Sequence, residues 1–111
     1  MKFMRKELRI KKSQEFSEIM KNRRFYSSPV MTIYVKPKAQ ERNRVGLSVG
    51  KKVGNAVMRN KVKRQLRMMV QETYTFEENF DTIILVRDKF VEESYESNKK
   101  VLEMLLKKVK I

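Results

Sequence analysis

The sequence predicts an α/β (α+β) two-layer sandwich with the element order α-β-β-α-β-α. Three observations predict it: an alternating stretch at residues 30–36, a mostly apolar block DTIILVR at residues 81–87, and between them a long helix with one apolar stripe. The 111 residues suffice for one core and fall short of two, so residues 1–111 are read as a single domain.

Residues 13–22 read as a short helix, with Ser13 as its cap and Phe16, Ile19 and Met20 at i, i+3, i+4 spacing. Residues 23–29 form a connection. Over residues 30–36, alternation places Met31, Ile33 and Val35 on one face and Val30, Thr32 and Tyr34 on the other, the pattern of a half-buried strand. Pro37 has no amide to donate, so the strand stops there and a polar loop leads to a second strand at residues 44–49. Val45, Leu47 and Val49 share one of its faces, while Gly46 and Ser48 keep the other small. The short connection makes these two strands an antiparallel pair. A turn at residues 50–54 opens the long helix, residues 55–73. The block at residues 81–87 is apolar on both sides and suits a sheet interior. A last helix over residues 93–109 turns Leu102, Leu105, Leu106 and Val109 inward. The strand-helix-strand crossover is right-handed by default.

Charge is distributed unevenly. The chain carries 27 Lys/Arg against 13 Asp/Glu, and residues 1–71 hold 20 of the cations with only 4 of the acids. Residues 42–71 contain nine basic residues and no acid, so nothing local neutralises them. Such a field needs an anionic partner or solvent. Nucleic acid leads, because its phosphates are dense and each neutralised one releases condensed counterions; the competing reading is a solvated face that only aids solubility. The absence of Cys excludes disulfides and thiolate metal sites, in keeping with a reducing compartment. No apolar run approaches the roughly 18 residues of a membrane span, and no signal-peptide core follows Lys2, Arg5 and Lys6. The reading is a soluble, cytoplasmic protein with no membrane role.

The stretch KKVGNAVMRNKVKRQLR resolves into faces when wound at about 100° per residue. Met58, Val62, Leu66, Met69 and Val70 form the stripe that docks the helix on the sheet. Arg59, Lys63 and Arg67 run along a neighbouring face, joined by Asn60 and Arg64, while Lys61 projects elsewhere. Like charges at i, i+4 without intervening Glu cost the helix stability that a polyanion would restore. Ahead of the helix, Lys51, Lys52, Gly54 and Asn55 supply two cations, a turn and an N-cap where free amides could meet a phosphate. On the strand face opposite Met31, Ile33 and Val35, Tyr34 would line a groove with Phe16 and Met20, floored by Gly46 and Ser48. Aromatic rings beside cations are what unpaired nucleotides stack on, although core packing explains Phe16 and Tyr34 equally well.

Little in the chain suggests chemistry of its own. There is neither His nor Cys, which removes the commonest general base and the thiol nucleophile. Asp81, Asp88, Glu92, Glu93 and Glu96 are read as solvated caps and helix-start acids, and the basic half offers no converging carboxylates for a metal-dependent nuclease. No catalytic residue and no metal ligand is assigned.

With RVGLSVG ahead of it, KKVGNAVMRNKVKRQLR resembles the protein subunit of bacterial ribonuclease P, and the likeness runs from RIKKSQEF through DTIILVR to the last helix. The resemblance implies a small basic protein that joins a catalytic RNA and supports removal of the 5′ leader from precursor tRNA. It implies that the RNA, with Mg²⁺, breaks the phosphodiester bond, that no obligate protein partner is needed, and that the crossover is left-handed. It further implies an RNA-binding ridge at Arg59, Asn60, Lys63, Arg64 and Arg67, and a leader-binding cleft at Phe16, Tyr34, Lys52 and Arg87, to which Ser48 and Lys51 are added. Two departures stand out: Lys61 where the family commonly has Arg, and Met20 where it commonly has an aromatic. The alternative is a structural ribosomal RNA-binding protein, with a protein-only nuclease behind it.

Overall fold

The computed structural model describes residues 10, 13–21, 24–38, 43–75 and 77–109, without the side chains of Ser13 and Glu15. Helix α1 spans Ser13–Lys21, strand β1 Phe25–Ser27, β2 Met31–Pro37, β3 Val45–Val49, α2 Ala56–Thr73, β4 Phe80–Val86 and α3 Tyr95–Lys108; short 3₁₀ turns at Lys51–Val53 and Asp88–Glu92 precede α2 and α3. The cap expected of Ser13 and the helix end expected at Asn22 lie outside the described residues.

The four strands form one mixed sheet in the order β1-β2-β4-β3, with β4 antiparallel to β2 and parallel to β3. Two expectations are corrected here. The pair formed by β2 and β3 does not exist, because β4 lies between them. Six of its seven residues are buried, so the centre of the sheet is where it hides both faces, while β3, small on one side, takes an edge. The connection at residues 23–29 contains a strand, β1, too short for alternation to reveal. It pairs antiparallel with β2 through Phe25↔Tyr34, Tyr26↔Ile33 and Ser27↔Thr32. The Ser28 hydroxyl closes that hairpin, accepting the Met31 N–H at 3.0 Å and donating to the Met31 carbonyl at 2.8 Å. Pro37 is the last residue of β2, beyond the stretch flanked by β1, where its missing N–H leaves no gap in the ladder.

The main core lies between one sheet face and the pair α2/α3. Met31, Ile33, Val35, Val45 and Ile84 meet Val62, Leu66, Met69, Val70, Leu102 and Leu105 there. Val30, expected on the far face, also joins this core because it precedes the regular strand. Met58, expected in the docking stripe, is 37% exposed; it sits in the first turn of α2 and folds over Gly54. That glycine has φ +156°, and a Cβ there would lie 2.9 Å from Met58. Its backbone is open to glycine alone. The helix then starts on Asn55, whose Oδ1 accepts the Met58 N–H at 2.9 Å.

The two-layer description holds for this core, yet α1 packs on the opposite face over β2 and β4 and builds a partial third layer. Asp81 is likewise corrected. Far from a solvated cap, it is 2% exposed, accepts the Arg44 N–H at 2.8 Å and pairs with the Arg44 guanidinium at 3.6 Å. One cation of the acid-free stretch is thus neutralised by a strand 37 residues away.

Candidate nucleic-acid interface

Two surfaces carry the residues singled out in the sequence. The first is α2. Asn60 and Arg64 are exposed on it, Arg59, Lys63 and Arg67 are half-buried beside the apolar stripe, and Lys61 is exposed. The first turn contains no acid, and among the described residues no carboxylate forms an ion pair with any of these cations. The Arg59 Nε is enclosed with no acceptor among the described residues. Of the free amides at the start of α2, the Met58 N–H is already taken by Asn55.

The second surface is the sheet face opposite the main core. Alternation aligns side chains into rows across the strands: Phe25, Tyr34, Ile83 and Gly46 form one, and Ser27, Thr32, Leu85 and Ser48 the next. Helix α1 lies over the first row. Ile10, Ile19 and Ile83 make a small buried cluster, and Phe16, Met20 and Tyr34 pack half-buried against it. The sequence offered core packing or a platform for Phe16 and Tyr34; in the structure each is partly packed against this cluster and partly accessible. Gly46 decides how close α1 comes, since a Cβ there would sit 2.8 Å from Phe16 Cζ and 3.1 Å from Ile10 Cβ. Ser48 lies one row on, half-exposed.

The far end of this face is cationic. Lys51, Lys52, Arg87 and Lys89, with the single acid Asp88 among them, border an open depression of about 660 Å³. Arg87 is steered by the β1–β2 hairpin, donating to Ser27 Oγ at 3.4 Å and to the Ser28 carbonyl at 3.3 Å. These cations follow the half-exposed row of Leu85 and Ser48, so aromatic rings and positive charge occupy one continuous surface. That combination can hold phosphates and stack unpaired bases. The structure therefore gathers Phe16, Met20, Tyr34, Ser48, Lys51, Lys52 and Arg87 on one face and leaves Arg59, Asn60, Lys63, Arg64 and Arg67 on another. One further residue belongs with the first group. Phe25 stands beside Tyr34, and the pair FY preceding Ser27 and Ser28 was its only sequence signal.

Among the described residues no three acids gather as a metal site, and no helix is long and apolar enough to cross a membrane. A family model described as Ribonuclease P matches residues 4–110. The ribonuclease P protein component of Halalkalibacterium halodurans is 43% identical over 110 residues, covering 97% of this chain and 92% of that protein. That of Mesoplasma florum is 40% identical over 99 residues, covering 87% and 90%. Among solved structures, the RNase P protein of Staphylococcus aureus superposes with a TM-score of 0.82 at 31% identity, over 90% of this chain and 93% of that one.

Proposed function

The chain belongs to the ribonuclease P protein family, and from that premise we propose how its two surfaces divide the work. It is the protein component of an endoribonuclease holoenzyme, an RNA-binding protein of tRNA processing. The ridge on α2 anchors the chain to the catalytic RNA, where Arg59, Lys63, Arg64 and Arg67 meet phosphates and Asn60 adds a neutral donor. The cleft holds the single-stranded 5′ leader of precursor tRNA: Phe16 and Tyr34 stack bases, Met20 and Ser48 border them, and Lys51, Lys52 and Arg87 neutralise the backbone. Substrate bearing a leader then binds better than mature product.

The bond is broken by the RNA. Mg²⁺ is assigned to the RNA partner, as the family likeness implies, and the protein supplies positioning alone. Residues 1–111 act as one RNA-binding unit in the cytoplasm, without an obligate protein partner. The β3–α2–β4 crossover is taken as left-handed, as the family likeness implies; the sense of that connection in a crystal structure tests it.

The observation that carries this reading is the meeting of Phe16 and Tyr34 on the sheet face that ends in Arg87, Lys51 and Lys52. Its test is the holoenzyme reconstituted with Tyr34→Ala and offered precursor or mature tRNA. Loss of a stacking partner should weaken precursor binding by about 1–3 kcal/mol and leave mature tRNA unchanged. Equal weakening of both ligands would refute the cleft.

A further inference from the structure

Phe25 is 55% exposed, although a phenylalanine on a strand ordinarily buries its ring. It lies directly across from Tyr34 on the edge strand β1, with the ring centroids 5.8 Å apart and the planes tilted by 41°. A base inserted between two rings needs about 7 Å, two layers at about 3.5 Å each, so nothing enters this pair. Each ring instead offers its outer face. Phe25 belongs to the Tyr34 row, one strand further from α1, and two residues on Ser27 holds the Arg87 guanidinium. Arg24, next to it in the chain, is exposed. An uncovered aromatic face with a guanidinium held two residues along the same strand is the chemistry that holds an unpaired nucleotide.

We propose that Phe25 is a second stacking platform for the leader, so that the RNA strand crosses β2 and continues onto the β1 edge. This rests on the leader-cleft reading and extends it by one base. Met20, on the α1 side of the cleft, supplies a flexible thioether rather than a ring, which leaves the edge strand to provide the additional aromatic surface.

The test compares holoenzymes carrying Phe25→Ala, Phe25→Leu, Phe25→Tyr and Tyr34→Ala, measuring equilibrium binding of precursor and of mature tRNA. Leucine keeps apolar bulk and loses the π-face; tyrosine keeps both. The expected result is a loss of about 5- to 150-fold in precursor binding for the alanine and leucine variants. Mature tRNA should bind unchanged, and the tyrosine variant should match the parent. Leucine performing as well as phenylalanine would reduce Phe25 to a packing residue and overturn the proposal, as would equal losses for both ligands. If Tyr34→Ala loses leader discrimination while Phe25→Ala keeps it, the cleft stands and Phe25 is excluded from it. If neither variant loses it, the cleft reading falls too.

Discussion

At Gly46 the absence of a side chain sets the depth of the cleft. Phe16 and Ile10 lie against the bare backbone, and the approach of Ile10 Cβ means that a methyl group would have to move a segment of chain as well as a ring. Gly46→Ala should therefore destabilise the fold by about 1–3 kcal/mol, the usual cost of overpacking, and should weaken leader discrimination through a displaced Phe16. Urea unfolding and precursor-against-mature binding read the two effects separately. Single residues differed sharply in how legible they were. Tyr34 could be read, because a seven-residue alternating strand announces its faces. Phe25 could not, since three residues define no period. Asp81 could not either: what buries it is Arg44, placed beside it only when β3 and β4 pair.

Among the elements, α2 and α3 are fastened by a polar clasp beyond their shared apolar core. Glu72 on α2 accepts hydrogen bonds from the Tyr95 hydroxyl and from Lys99 Nζ on α3, the latter at 3.1 Å. The Tyr95 bond, then Lys99, hold the Glu72 carboxyl below the usual carboxylate range. Burial, followed by the bond to Glu72, pushes the Tyr95 hydroxyl above the ordinary phenol range. The signs differ at the two ends of the pH scale. Glu72 stabilises the fold above its unfolded value of about 4.3 and ceases to do so as pH falls through its lowered one. Tyr95 contributes fully below about pH 10 and fades as pH climbs toward its raised value. The stability difference between the parent and Tyr95→Phe should thus be flat from about pH 5 to 10 and shrink on either side, as measured by chemical unfolding across pH. Element types and most boundaries were legible, because long periodic segments such as α2 and α3 carry their own signal. Strand neighbours were not: proximity in sequence favours pairing of β2 with β3, whereas burying both faces of β4 puts it between them.

For the molecule as a whole, the sequence-level charge imbalance becomes a spatial one, with a ridge and a cleft end whose cations form no ion pair among the described residues. Assembly with the catalytic RNA should weaken with added salt. Arg64→Glu should lower affinity and flatten the dependence of log K on log salt by about one unit for the phosphate contact removed. An unchanged slope would take Arg64 off the ridge. The central place of β4 also has a consequence for biosynthesis. Residues 31–49 supply two strands of the sheet that do not pair with each other; β2 has β1 as a local partner, but β3 joins the sheet only through residues 80–86. A ribosome must release residues 80–86 before the four strands can form one sheet, so the fold is completed late, through contacts distant in sequence.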